Sequence, residues 1–120
     1  MKILLIDDDR ELTMMLKLGL EENDIKVEIA YDGNTGRELA LKKKYDLILL
    51  DVMLPGIDGF ELCKKIRNKI DTPVLMITSM SMIEDRVKGF NSGADDYLTK
   101  PFTIKDLLTR IKLFNLQSKN

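Results

Sequence analysis

The chain has 120 residues, of which 44% are hydrophobic and 32% are charged, as is typical of a single soluble globular domain. Its 19 basic and 20 acidic residues give a net charge of −1, which excludes a strongly basic surface for nucleic acid or an anionic membrane. The single cysteine, Cys63, excludes an internal disulfide, and the absence of histidine excludes histidine-based metal sites. No apolar stretch reaches membrane-spanning length and no signal peptide is apparent, so we expect a cytoplasmic protein.

The first part of the chain alternates predicted strands and helices. A short apolar run at 3–6 predicts a buried strand that ends in three acids, Asp7, Asp8 and Asp9. Asp9 is predicted to cap a first helix. The apolar positions of that helix recur at helical spacing: Leu12, Met15, Leu16 and Gly19. Residues 25–29 then alternate with a period of two, which indicates a strand that shows one face to water or lies near the edge of a sheet.

The stretch 46–59 is the one around which the chain is organised. Its apolar run predicts a strand buried on both faces, as in a parallel sheet, and this strand delivers Asp51 to its carboxyl end. The pairs Pro55-Gly56 and Asp58-Gly59 then break the chain into a loop. An acid at the end of a buried strand costs solvation energy without adding to the core. Asp58 is also better placed than Asp51 to cap the next helix, so a functional role for Asp51 is favoured.

The second half continues the same alternation. Three elements follow in order: a strand at 74–77, a helix near 82–91 and a short strand at 95–99. The last helix begins at about Thr103. Five alternations of strand and helix, without a repeat or linker, predict an α/β fold with helices on both faces of a parallel sheet.

Polar side chains stand where the predicted strands end. Asp7 and Asp8 follow the first strand, Asp51 ends the third, Thr78 follows the fourth, and Lys100 follows the fifth. In a right-handed βα fold these ends share one edge. Three carboxylates from two strands repel one another unless a divalent cation is present, and oxygen ligands suit Mg²⁺ or Mn²⁺. Lys100 and Thr78 are suited to hold phosphoryl oxygens.

Four motifs in this order resemble the receiver domain of two-component response regulators. They are 5–9 (LIDDD), 50–59 (LDVMLPGIDG), 77–79 (ITS) and 93–102 (GADDYLTKPF). The resemblance covers the whole chain and implies a flavodoxin-like (βα)5 doubly wound sandwich with the strand order 2-1-3-4-5. It also implies that residues 1–120 are one receiver domain, with any C-terminal effector domain absent from this chain.

The same resemblance assigns roles to individual residues. Asp51 is the phosphoacceptor, and Asp8 and Asp51 bind Mg²⁺ directly. Asp7 reaches the metal through a water, and the backbone carbonyl of Met53 is a further metal ligand. Thr78 and Lys100 contact the phosphoryl group. Tyr97 is an aromatic switch residue, and Pro101 follows a cis peptide bond. The alternative for Tyr97 is a half-buried strand aromatic, and both descriptions can hold.

Residues 84–90 and 93–110 further resemble receivers of winged-helix transcription factors of the OmpR/PhoB type. The resemblance implies a symmetric dimer face on the fourth helix, fifth strand and fifth helix. Its implied members are an apolar patch of Val87, Phe90 and Leu108 and two pairs across the two-fold axis, Arg86 with Asp106 and Asp96 with Arg110. The alternative is that the apolar residues are core and the charges are solvated. Asp106 departs from the glutamate usual in the subfamily, which could weaken its bridge.

The expected function is a signalling switch and not an enzyme with a separate substrate. A sensor histidine kinase would phosphorylate Asp51 with Mg²⁺, the domain would form a homodimer, and it would reach DNA only through an output domain. One alternative is a stand-alone receiver that regulates a partner protein. Another is a phosphatase of the haloacid dehalogenase type, but Glu11 stands where that motif needs Thr or Val. A flavodoxin-like cofactor binder is disfavoured because three acids after the first strand would repel a phosphate.

Overall fold

The computed structural model describes residues 1–79, 87 and 91–118. The strands are β1 (Lys2–Ile6), β2 (Lys26–Ala30), β3 (Leu47–Asp51), β4 (Val74–Thr78) and β5 (Asp96–Thr99). The helices are α1 (Arg10–Glu21), α2 (Gly33–Lys42), α3 (Gly59–Arg67) and a C-terminal helix (Ile104–Ser118). The predicted helix near 82–91 lies largely outside the described residues, although Val87 and Asn91 are helical.

All five strands form one parallel sheet in the order β2-β1-β3-β4-β5, which confirms the predicted topology. Because β2 is at an edge, its alternating polar pattern is also explained. None of the helices within the described residues is long and apolar enough to cross a membrane.

Alternate residues of the central strands supply two separate cores. On one face, Leu4 and Ile48 pack with residues of α2 and α3, including Ala40 and Leu62. On the other face, strand residues such as Leu49 pack with α1 and the C-terminal helix. Each fully buried Leu or Ile side chain stabilises the fold by about 1.5–3 kcal/mol, so the helices on both faces pack stably against the sheet. The carboxyl ends of the strands are not covered by these two cores.

Aspartates cap three of the helices. The side chains of Asp9, Asp32 and Asp58 accept hydrogen bonds from backbone N–H groups in the first turns of α1, α2 and α3. The predicted caps at Asp9 and Asp58 are therefore confirmed. Glu61 is an exposed acid in the first turn of α3. Its carboxylate lies 3.7 Å from Lys64 Nζ.

One residue of the predicted α1 core faces solvent instead. Met15 is 63% exposed, and the fully buried positions of α1 are Thr13, Leu16 and Leu20. Met14 and Leu18 are exposed as well, so α1 carries an apolar stripe on its outer surface.

A reciprocal pair of hydrogen bonds begins the C-terminal helix. The Asp106 N–H donates to Thr103 Oγ1 at 3.0 Å, and the Thr103 N–H donates to Asp106 Oδ2 at 3.1 Å. This is a capping box with Asp in the place usually taken by Glu. The hydrogen bonds from Thr103 lower the pKa of the Asp106 carboxyl group.

Loss of this cap should destabilise the domain. We expect Thr103→Ala to lower the free energy of unfolding by about 1 kcal/mol, since one end of the helix loses its hydrogen-bond acceptor. Urea denaturation measures the change. Thr103→Ser keeps a capping hydroxyl and is the matched control. Equal midpoints for the alanine and serine variants would contradict the assignment of the cap.

Candidate functional site

Four side chains that the sequence predicts to meet do lie at one edge of the sheet. Asp51 and Thr78 are the last residues of β3 and β4, while Asp7 and Lys100 directly follow β1 and β5. The strands are parallel, so these ends share an edge. β1 and β3 are neighbours, and the helices after them pack on opposite faces of the sheet. This is the topological switch point, where open α/β sheets bind ligands.

Asp7, Asp8 and Asp51 form a cluster of carboxylates. One oxygen from each lies within 4.8 Å of the others. Asp7 is fully buried and Asp51 is 5% exposed, whereas Asp8 faces solvent. Backbone N–H groups hold the two buried acids: that of Asp9 donates to Asp7 Oδ1 and that of Met53 donates to Asp51 Oδ1, both at 2.9 Å. Oδ2 of each buried acid is left for another partner.

That partner is Lys100. Its Nζ lies 3.0 Å from Asp51 Oδ2 and 3.5 Å from Asp7 Oδ2. Its backbone N–H donates to the carbonyl oxygen of Thr78 at 2.7 Å, which ties the ends of β4 and β5 together. The Lys100–Pro101 peptide bond is cis, as predicted. The ammonium group therefore lies between the two buried acids.

The cluster carries more negative charge than this one ammonium balances. Burial raises the pKa of Asp7 to about 6, and the charge of Asp51 also raises it, against the hydrogen bond from Asp9 and the charge of Lys100. Burial opposes the charge on Lys100, but its contacts with Asp51 and Asp7 outweigh this and raise its pKa. Such a site attracts a further cation.

The donor set fits a divalent cation such as Mg²⁺ or Mn²⁺. Carboxylate oxygens are ligands that these hard cations prefer, and Mg²⁺ usually takes one or two of them and keeps several waters. Asp7, Asp8 and Asp51 would hold the ion. Met53 begins the loop after β3 and its side chain is 59% exposed, while the ligand role of its backbone carbonyl stays a prediction.

Thr78 and Tyr97 lie on the same face of the sheet. Thr78 is fully buried and Tyr97 is 7% exposed, so Tyr97 is more buried than the expected half-buried strand aromatic. In the pairing of β4 with β5, Met76 is opposite Tyr97 and Thr78 is opposite Thr99. Alternate strand residues share a face, so Tyr97 lies one step along the sheet from Thr78.

The predicted dimer residues are partly engaged within the chain. Arg86 and Phe90 lie outside the described residues, and Val87 is 52% exposed. Arg110 Nη1 lies 2.9 Å from Asp96 Oδ1 and 2.7 Å from Oδ2 of the same residue. The predicted pairing of Asp96 with Arg110 across a two-fold axis would therefore need an exchange of partners.

Leu108 is not on the same side of the C-terminal helix as Asp106 and Arg110. It is two residues from each, which is about 200° around an α-helix. Its side chain is half-buried and lines a recess with Ile25, beyond the end of α1. The place of Leu108 in the predicted patch stays a prediction, and Leu113 of the same helix is exposed and lines a recess with Asp96.

Gly59 is a residue of the site, although its sequence pattern predicts only a break in the chain. A Cβ atom at this position would lie 2.5 Å from the carbonyl oxygen of Asp51 and 2.6 Å from Val52 Cα. The Gly59 N–H also donates to the Val52 carbonyl oxygen at 2.9 Å. The start of α3 therefore packs directly on the backbone that carries Asp51. The Asp-Gly pair was the only sequence signal for this contact.

Comparison with known proteins shows which family this chain resembles. Residues 3–112 match the family model of the response regulator receiver domain. The response regulator ArlR of Staphylococcus saprophyticus is 49% identical over 111 residues, which cover 92% of this chain and 50% of ArlR. The crystal structure of a two-component response regulator from Clostridium difficile has a TM-score of 0.96 at 36% identity and covers 99% of this chain and 98% of its own.

The chain is also similar to part of a longer response regulator of known structure. The structure of DrrB, an OmpR/PhoB homologue from Thermotoga maritima, has a TM-score of 0.87 at 35% identity, and the match covers 98% of this chain but 53% of DrrB. The chain thus spans about half the length of ArlR and of DrrB.

Proposed function

Because this chain belongs to the response regulator receiver domain family, we propose that it is a phosphorylation-activated switch in which Asp51 accepts a phosphoryl group from a sensor histidine kinase with Mg²⁺ or Mn²⁺. The observation that carries this proposal is the position of Asp51. Its carboxylate ends a strand buried on both faces, and its Oδ2 lies 3.0 Å from Lys100 Nζ. The domain acts on no other substrate and catalyses only its own phosphorylation and dephosphorylation.

The described side chains have complementary roles in this transfer. An oxygen of Asp51 forms the new O–P bond, while the P–N bond to the kinase histidine breaks and its electron pair returns to the imidazole. Lys100 neutralises charge on the phosphoryl oxygens, and the Thr78 hydroxyl donates a hydrogen bond to one of them. A bound Mg²⁺ supplies further positive charge for these oxygens.

Phosphorylation should depend on Asp8 through the metal. We expect Asp8→Ala to raise the Mg²⁺ concentration needed for half-maximal labelling by acetyl phosphate by about tenfold or more, since loss of even an outer partner of a metal site costs about 10–100-fold. Labelling rates across a Mg²⁺ titration measure this.

Asp9→Asn is the matched control, because asparagine keeps the N-cap of α1 and Asp9 is outside the carboxylate cluster. A wild-type rate for Asp8→Ala at limiting Mg²⁺ would show that the metal assignment is wrong.

The outer face of α1 is the surface we assign to the kinase. Its exposed side chains Met14, Met15 and Leu18 form an apolar stripe. A recess of about 440 Å³ lies beside this stripe, and Met15, Lys100 and Phe102 are among its lining residues. A partner helix seated there would bring its phosphohistidine to the edge of the sheet that carries Asp51.

The phosphoryl group changes a distant surface through Thr78 and Tyr97. Thr78 moves towards the phosphoryl oxygens, and Tyr97, on the same sheet face, repacks into the space that this opens. The surface that includes Val87, Asp96 and Arg110 then favours a second arrangement by a shift of population.

In that arrangement the surface forms a symmetric homodimer, and the dimer controls a DNA-binding output domain in the other half of the full-length protein. The length of ArlR, about twice that of this chain, supports an additional domain. The description of DrrB as an OmpR/PhoB homologue supports a transcriptional output.

Dimerisation should fail when this surface is made acidic. We expect Val87→Asp to be phosphorylated normally but to remain monomeric after treatment with acetyl phosphate and Mg²⁺, as measured by sedimentation equilibrium. Leu18→Asp is the control, because it places the same charge at an equally exposed apolar position on α1. A wild-type dimer for phosphorylated Val87→Asp would exclude this face.

A further inference from the structure

Arg10, the first residue of α1, is a cation near the acidic site that no predicted role uses. Its guanidinium carbon lies 4.0 Å from the centroid of the Tyr31 ring. Arg10 follows the end of β1 closely and Tyr31 directly follows β2, so both lie at the edge of the sheet that carries Asp51. Arg10 is exposed and Tyr31 is half-buried, so the ring is a fixed platform for the guanidinium group.

The stack leaves the hydrogen-bond donors of Arg10 available. A guanidinium group donates in its own plane, and an aromatic ring below that plane does not compete for the N–H groups. Among the described residues, the Arg10 side chain makes no ion pair or hydrogen bond. By contrast, Arg67 and Arg110 each lie against an aspartate.

An anionic phosphodonor meets negative charge as it approaches Asp51. Asp8 and Asp9 are both exposed at this edge, and the charge of Lys100 is already shared between Asp51 and Asp7. A second cation near the opening that leads to Asp51 would raise the local concentration of dianionic phosphodonors. β1 lies between β2 and β3, so the platform at the end of β2 is about 10 Å from the end of β3. Arg10 therefore acts by its field and not by contact with the phosphoryl group on Asp51.

We propose that Arg10, stacked on Tyr31, steers dianionic phosphodonors towards Asp51 and makes the domain prefer them over donors of lower charge. This inference rests on the proposed function of Asp51 as phosphoacceptor. With acetyl phosphate as donor, an Asp51 oxygen forms the O–P bond, the bond between phosphorus and the acyl oxygen breaks, and acetate leaves with the electron pair.

The test compares two small donors of different charge. Acetyl phosphate is a dianion near neutral pH, whereas phosphoramidate carries one net negative charge less. At low ionic strength we expect Arg10→Ala to slow phosphorylation by acetyl phosphate about two- to fivefold, the effect of one charge across about 10 Å of a watery interface. The loss should be smaller for phosphoramidate. It should disappear in about 1 M salt, where the screening length is about 3 Å.

Three further variants separate the effect of the Arg10 charge from the effect of its contact with Tyr31 and from the effect of removing any surface charge on α1. Lys17→Ala removes the same charge from α1 about 10 Å farther along the helix and should leave both rates unchanged. Arg10→Lys should retain most of the rate because it keeps the charge. Tyr31→Leu should cause an intermediate loss of phosphorylation rate, because the guanidinium group of Arg10 is no longer held near the opening that leads to Asp51.

The outcomes are distinguishable. If neither donor labels the wild-type domain, the proposed function and this inference are both overturned. Two results would show that Arg10 does not steer the donor while the phosphoacceptor role of Asp51 stands. In one, both donors label the domain and Arg10→Ala is phosphorylated as fast as Lys17→Ala. In the other, Arg10→Ala loses the same fraction of its rate with both donors and also in high salt.

Discussion

Asp51→Asn is expected to accept no phosphoryl group from acetyl phosphate. An amide is not a nucleophile, and Asp51 Oδ2 lies closer to Lys100 Nζ, at 3.0 Å, than Asp7 Oδ2 does, at 3.5 Å. Labelling should fall to background, roughly a hundredfold or more, which is the scale of loss when a catalytic group is removed. The measurement is acid-labile, hydroxylamine-sensitive phosphate on the purified domain.

The control for this experiment is Asp58→Asn. Asp58 lies in the loop after Asp51 and caps α3, and asparagine is an equally good cap, so fold and labelling should both be preserved. Full labelling of the Asp51→Asn variant would remove the basis for the proposed function.

Gly59→Ala is expected to damage both stability and phosphorylation. The new Cβ would meet the backbone of Asp51 and Val52 at 2.5–2.6 Å, and backbone atoms at the end of a central strand cannot move aside freely. Overpacking of this kind typically costs about 1–3 kcal/mol, and the strain acts on the segment that positions the phosphoacceptor. Urea denaturation should show a lower midpoint, and labelling by acetyl phosphate should slow.

Gly56→Ala tests whether this effect is specific to Gly59. Gly56 has a φ of +81°, and no atom lies within 4 Å of a Cβ built there. An alanine at Gly56 bears only the cost of a left-handed backbone, about 1 kcal/mol, without a clash against the end of β3. We expect normal labelling for this variant. If Gly59→Ala were as stable and as active as Gly56→Ala, the packing of α3 on the phosphoacceptor segment would not matter for function.

The sheet and the acidic cluster were predictable because their signals are local. Each buried strand is a short apolar run, and each run ends in a polar side chain such as Asp51 or Thr78. Once the strands are known to be parallel, their carboxyl ends must share an edge, so the meeting of Asp7 with Asp51 follows. The strand order itself came from the family resemblance, not from the residues.

Which residues of a helix are buried depends on packing partners that the spacing of apolar residues in the sequence does not reveal. Met15 has the spacing of a core residue of α1, yet Thr13 is buried and Met15 is exposed. A helix in this fold buries only the side that meets the sheet and its neighbours, and an exposed apolar residue on the outer side looks the same in the sequence.

Asp95 shows the same limit for a polar residue. The sequence predicts Asp95 within the fifth strand, but β5 begins at Asp96. The Asp95 carboxylate instead accepts a hydrogen bond from the Val74 N–H at 2.8 Å and pairs with Arg67 Nη2 at 2.6 Å. These partners come from β4 and α3, and only the folded chain brings them together.

The location of the phosphoryl group is the most direct test of this account. The wild-type domain would be incubated with acetyl phosphate and Mg²⁺ and then reduced with borohydride, which converts an aspartyl phosphate to homoserine that peptide mass spectrometry can locate. We predict modification at Asp51 and at no other aspartate. Modification at Asp7 would contradict the account and would favour a phosphatase that uses an acid of the first strand as its nucleophile.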